Sequence, residues 1–164
     1  MSLTIAAPTP AASSVGMGQI AVARKPARLT AVLGSCVGIA LYHPRLQLGA
    51  LAHVVLPDSN GRAPAQPGKF ADTAVPHMLE LLEREGVKPS GLVAKIAGGA
   101  CMFGSPGPLQ IGEANIQAVT AALERAGLRV AASDVGGTSG RRVQLDTANG
   151  SLHVEIAGQA PRAM

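Results

Sequence analysis

Tryptophan is absent from the 164-residue sequence, and aromatic side chains are limited to Tyr42, Phe70 and Phe103. Val, Leu, Ile and Ala must therefore build the core. The stacking platforms that bind single-stranded nucleic acid are not available. Cysteine is nearly absent too, with only Cys36 and Cys101 and no Cys-x-x-Cys pair. That excludes a disulfide framework or a zinc ribbon and makes a reducing cytoplasm the default. No stretch reaches the roughly 18 uninterrupted apolar residues of a membrane span. The opening MSLTIAAPTPAASSVGMG lacks a basic region and is broken by Pro8 and Pro10, so it makes a poor signal peptide and reads as a flexible tail. Charge is sparse, at 15% of residues and a net +4. Arg24, Lys25, Arg28, Arg45, Arg62, Lys69 and Arg84 are scattered rather than gathered in a stripe, so no nucleic-acid partner is expected. A mildly basic surface suits an acidic protein partner at least as well.

What is present is a hydrophobic complement of 47%, which belongs to a packed globular chain. The length fits one domain. We expect tails at 1–18 and 158–164 around a single domain spanning 19–157. QIAVAR (19–24), LTAVLGS (29–35), VGIALYH (37–43) and GALAHVVLP (49–57) read as strands, the last two joined as a hairpin. Residues 58–69, DSNGRAPAQPGK, are turn chemistry and form one long loop. Apolar spacing predicts helices over 71–85 and 111–127, each stopped by a glycine, with Asp72-Thr73 as a candidate N-cap of the first. GLVAKIAGGA (91–100) is a strand entering a glycine turn, GSPGPLQ (104–110) is loop, and strands near 128–134, 141–146 and 151–156 close the chain. Many strands with two helices between them predict an α/β domain with a mixed, largely antiparallel sheet.

Cys36 stands in a Gly-Ser-Cys turn between two strands. Small Gly34 and Gly38 let a backbone or a substrate come close, and amide N–H groups of such a turn can polarise a carbonyl. Free cysteine is also a common core filler, so both readings stand. His53 lies inside the apolar strand LAHVVL, where it is either a satisfied core residue or a working base. If the two strands pair, thiol and imidazole meet at one end of the sheet, as Cys-His nucleophilic catalysis requires. Thr30, on the strand entering the turn, carries a hydroxyl that could accept from the other ring nitrogen. His43, His77 and His153 read as surface or structural residues, and Cys101 as a buried filler ahead of a rival nucleophile. AKIAGGA and DVGGTSGR do not match a phosphate loop and are read as tight turns.

The run LTAVLGSCVGIALYHP…GALAHVVLP, followed by KFADTAVPHMLELL, AKIAGGACMF, IGEANI and DVGGTSGRRVQLDTANG, closely resembles the chemoreceptor glutamine deamidase family of bacterial chemotaxis, CheD. The resemblance runs from about Gln19 to Ile156 in unbroken order. It implies Cys36 as nucleophile, His53 as general base and Thr30 as the residue assisting the histidine, with Gly34 and Ser35 shaping the turn. It implies an α/β layered sandwich similar to the catalytic domain of the cytotoxic necrotizing factor toxins. It also implies hydrolysis of protein glutamine side chains to glutamate, with no metal or organic cofactor. The implied partners are the cytoplasmic helical region of methyl-accepting chemotaxis receptors and a chemotaxis phosphatase, with no membrane insertion. Ala97, Ala114 and Phe70 depart from residues common in the family, at positions that would bear on substrate or partner contacts. The alternative is a non-enzymatic regulator that binds receptor or phosphatase through the same fold. The constellation of Thr30, Cys36 and His53 argues against it, since a binding module has no need of it.

Overall fold

The computed structural model describes residues 11–102 and 110–164. Among these described residues, ten strands form two five-stranded sheets. The outer sheet has the order β1 (Ala11–Ser14), β3 (Ala27–Leu33), β8 (Arg141–Asp146), β9 (Leu152–Glu155), β10 (Arg162–Ala163). The central sheet has the order β2 (Ile20–Arg24), β5 (Leu48–Val54), β4 (Val37–His43), β6 (Val93–Gly98), β7 (Val130–Val135). Six of the eight pairings are antiparallel, and β1·β3 and β6·β7 are parallel. The expected hairpin is β4·β5, in register from Val37 opposite Val54 to His43 opposite Leu48.

Alternation along the strands sorts side chains into two cores. Val37, Ile39 and Leu41 of β4 and Ala50, Ala52 and Val54 of β5 face two helices, α1 (Ala71–Arg84) and α2 (Ile111–Arg125). The intervening Ala40 and Leu51 face the outer sheet, where Leu29, Leu33, Val143, Leu145, Leu152 and Val154 meet them. The molecule is thus three layers, helices on sheet on sheet, and the mixed sheet of the sequence reading is resolved into two. The far face of the outer sheet carries the 73% exposed Val32. Each fully buried Leu or Ile stabilises this arrangement by about 1.5–3 kcal/mol before chain entropy is counted.

Helix α1 buries Ala71, Ala74, Val75, Met78 and Leu82 on one stripe and stops at Gly86, whose φ of 83° few other residues adopt. Its N-cap is extended Phe70 without a side-chain bond, so the expected Asp72-Thr73 cap is not formed. Asp72 instead accepts from Ser59 N (2.9 Å) and Ser59 Oγ (2.6 Å), and Thr73 Oγ1 donates to Pro67 O (2.6 Å). The first turn therefore ties down the 58–69 loop.

Both expected tails need correction where they are described. Within 1–18, Ala11–Ser14 is β1, parallel to β3 with Ser14 opposite Thr30, and Val15 is buried. Residues 1–10 of that tail lie outside the described residues, as do 104–109 of the expected GSPGPLQ loop. Within 158–164, β10 pairs with β9, and Met164 exchanges both backbone bonds with Leu152. Short edge strands such as AASS and RA carry no apolar alternation of their own. Their order comes from the neighbour's free hydrogen-bonding edge.

Candidate active site

Strands β3 and β4 are consecutive in the chain but belong to different sheets. The turn Gly34, Ser35 and Cys36 carries the chain across. All three of its carbonyls are held: Gly34 O accepts from Ala100 N (2.9 Å), Ser35 O from Asn115 Nδ2 (3.0 Å) and Cys36 O from Gly99 N (2.8 Å). The backbone after β6 thus comes close, as small residues in the turn suggested. Gly98 makes the approach possible, since its φ is 108° and a Cβ there would collide with Cys36 O. No hydrogen bond from the Cys36 N–H is formed among the described residues.

Register places thiol and imidazole on one face. Gly38 stands opposite His53, so their side-chain positions point to the same side of the sheet. Cys36, two residues before Gly38, shares that side and belongs to the core between the sheets. Cys36 is 8% exposed and His53 4%. Burial pushes the Cys36 thiol above its ordinary pKa, because the thiolate would lose solvation. The resting sulfur is therefore protonated at neutral pH.

The histidine is held at three points. His53 N donates to Gln19 O (3.0 Å), His53 O accepts from Gly18 N (2.8 Å), and Nδ1 lies 2.9 Å from Val15 O. A carbonyl can only accept, so Nδ1 carries a proton, and in the neutral ring that leaves the lone pair on Nε2. Such a ring can take a proton from sulfur and return it to a leaving group.

Thr30 does not fill the place the sequence reading gave its hydroxyl. Leu29, Ala31 and Leu33 face the inter-sheet core, so Thr30 points to the other side of β3, with Val32. Its Oγ1 donates to Ser13 O (3.4 Å), and its own carbonyl accepts from Val15 N (2.7 Å). Thr30 thus holds β1 at the point where Val15 reaches His53. Sequence reasoning missed Val15, because a backbone carbonyl has no residue-type signature.

It also missed Asn115. This wholly buried side chain on α2 donates to Ser35 O (3.0 Å) and to Val55 O (2.9 Å), two residues past His53. The readable signal is a polar residue on the buried stripe of Gly112, Val119 and Leu123.

A cavity of about 370 Å³ opens beside the turn, lined by Ser35, Cys101, Met102, Gln110, Ile111 and Glu113. Cys101 is half-buried at its wall, which departs from the expected buried filler. His43 accepts from Leu46 N in the β4–β5 turn, and His77 lies 3.5 Å from Glu80 on the surface of α1. The DVGGTSGR turn is pinned from within: Arg141 Nη1 donates to Asp134 Oδ1 (2.6 Å), and Arg162 also pairs with Asp134. Among the described residues no helix is long and apolar enough to cross a membrane, and no three His, Cys, Asp or Glu side chains gather where they could hold a metal ion.

A thiol and an imidazole of fixed tautomer on paired strands define the class of site. Comparison with known proteins then supplies the family. The profile described as CheD chemotactic sensory transduction matches residues 55–156. A probable chemoreceptor glutamine deamidase CheD of Methanococcus vannielii is 45% identical over 141 residues, covering 85% of this chain and 92% of that protein. The one of Symbiobacterium thermophilum is 46% identical over 153 residues, covering 89% and 93%. Chemoreceptor glutamine deamidase CheD of Thermotoga maritima is 43% identical over 145 residues, covering 88% and 91%. The chain belongs to the CheD family. Among solved structures, the Bacillus licheniformis hypothetical protein YfiH overlaps 73% of this chain and 50% of its own at 17% identity, with a TM-score of 0.41.

Proposed function

We propose that this protein hydrolyses glutamine side chains of chemotaxis receptors to glutamate, with Cys36 as nucleophile and His53 as general base. The observation that carries the reading is the burial of both groups on one face of the β4·β5 pair, with His53 Nδ1 committed to Val15 O. Three relatives with 91–93% of their length matched carry the deamidase name, which supplies the substrate class.

Because burial favours the neutral thiol, the proton leaves sulfur as attack begins. Sγ bonds to the carboxamide carbon while His53 Nε2 takes the thiol proton. The carbonyl π-electrons move to oxygen, and backbone N–H groups of the turn stabilise that oxyanion. The intermediate collapses as His53 gives its proton to nitrogen, and the C–N bond breaks to release ammonia. Water then attacks the thioester, losing a proton to His53, which returns it to sulfur as glutamate departs. The imidazole carries each proton between sulfur, nitrogen and water, the carboxylic acid formed gives its own proton to the released ammonia to leave glutamate, and no step calls for a metal or organic cofactor.

Thr30 enters this scheme through β1, as the residue that holds the strand carrying Val15. The same reading makes the protein cytoplasmic, makes the receptor's helical region its substrate surface, makes a chemotaxis phosphatase a partner, and makes the sandwich similar to that of the cytotoxic necrotizing factor toxins. The test is intact mass of a receptor fragment incubated with the protein. Each modified glutamine adds about one dalton, and the gain is lost in Cys36→Ala and His53→Ala but kept in Cys101→Ala. Deamidation by Cys36→Ala at the wild-type rate overturns the assignment.

A further inference from the structure

We infer that Asn115 is a positioning residue that sets the oxyanion donor of the reaction, the backbone N–H of Cys36. The inference rests on the reading of Cys36 as nucleophile. The peptide joining Ser35 to Cys36 is planar, so its C=O and its N–H point in opposite directions. Asn115 Nδ2 holds that carbonyl at 3.0 Å, from a side chain with no solvent exposure. The rotation of this peptide, and with it the heading of the Cys36 N–H, is thereby fixed on the side away from α2. That N–H has no acceptor among the described residues. It belongs to the nucleophile's own residue, which puts it beside the carbon that Sγ attacks. An oxyanion forming on that carbon is within its reach.

The second bond of the same amide shows what else Asn115 sets. Its other N–H goes to Val55 O at 2.9 Å, at the end of β5 that carries His53. One side chain therefore spans the turn of the nucleophile and the strand of the base. Its own Oδ1 is buried with no partner among the described residues, so this side chain is held only through what it donates. Asn is required over Asp, because a carboxylate has no proton for either carbonyl.

Deamidation and alkylation separate this role from a general structural one. Attack on a carboxamide builds an oxyanion, whereas displacement of iodide from iodoacetamide by Cys36 builds none. Asn115→Asp and Asn115→Ala are expected to lower kcat for a receptor fragment by about 10²- to 10³-fold, the scale of a lost oxyanion donor, with KM and the iodoacetamide rate at Cys36 within about threefold of wild type. An unchanged kcat overturns the inference, and so does an alkylation rate that falls in step with kcat. A second measurement needs no variant. In the ¹⁵N-labelled wild-type protein, a receptor peptide with an aldehyde in place of the glutamine carboxamide adds the Cys36 thiol to form a hemithioacetal, and the Cys36 amide proton is expected to move downfield. A thiol that adds while that proton stays in place overturns the inference. Activity retained in Cys36→Ala would instead overturn the nucleophile assignment, so the two failures are told apart.

Discussion

The two faces of the central sheet are made by the same strands and do different work. Toward the helices, β4 and β5 present Val37, Ile39, Leu41, Ala50, Ala52 and Val54, an unbroken apolar surface. Toward the outer sheet, the alternate positions hold Cys36, Gly38, Ala40, Leu51 and His53. The first face stabilises the fold, and the second places a thiol and an imidazole at one end of an otherwise apolar gap. One step along the chain separates the two roles. Substitutions at the helix-facing positions should therefore move stability, and those at Cys36 and His53 activity, with little crossover.

The sharpest break of this comparison is on the chemical face. Cys36→Ala and His53→Ala are expected to lose deamidation by at least about 10³-fold while the melting temperature moves by only a few degrees; mass spectrometry and calorimetry check the pair. On the helix face, Leu41→Ala is expected to cost about 2–5 kcal/mol in denaturant unfolding, with kcat unchanged in the folded fraction. Deleting residues 1–15 removes Val15 and frees His53 Nδ1. We expect a kcat loss of about 10- to 100-fold, together with a shift in imidazole ¹⁵N signals that reports mixed tautomers.

A pH experiment sharpens the comparison from the thiol side. The raised pKa of Cys36 means that, above the ordinary thiol range, the unfolded chain releases a proton that the folded chain keeps. Stability should then fall as pH rises through that window, and Cys36→Ser should remove this part of the slope. In His53→Ala, where no base takes the proton, iodoacetamide should label Cys36 more slowly than an exposed thiol at neutral pH and faster as pH rises. The smallest expected effect lies away from both faces. Asp72→Ala unties Ser59 from α1 and should cost about 1–2 kcal/mol without a change in kcat.

Strands β2 to β9 and both helices were legible because each carries its own apolar period. The division into two sheets was not, because the pairing of β3 with β8 joins segments more than a hundred residues apart. At the candidate site, Cys36 and His53 were singled out by residue type and by the expected hairpin, and it is the hairpin that the structure forms. Val15 and Asn115 could not be assigned in the same way. Val15 acts through a main-chain carbonyl, and Asn115 through a contact made by a helix that begins 75 residues after the turn. Thr30 shows the converse. Its place in the motif was legible, but only the direction of its side chain reveals that it grips β1 rather than the imidazole.

The sheet-crossing turn makes chain length a functional specification. Between Leu33 and Val37 there is room for three residues, and their number sets which of β4's alternate positions look toward the gap. Adding or removing one residue there would turn Cys36 toward the helices and set Ile39 in the gap, the inversion that a one-place slip imposes on any strand. An insertion scan through the turn would therefore read as a count in which only the native spacing supports both a packed helix layer and a working thiol. The hairpin turn between β4 and β5, which stays within the central sheet, crosses no layer boundary and has no such rule to keep.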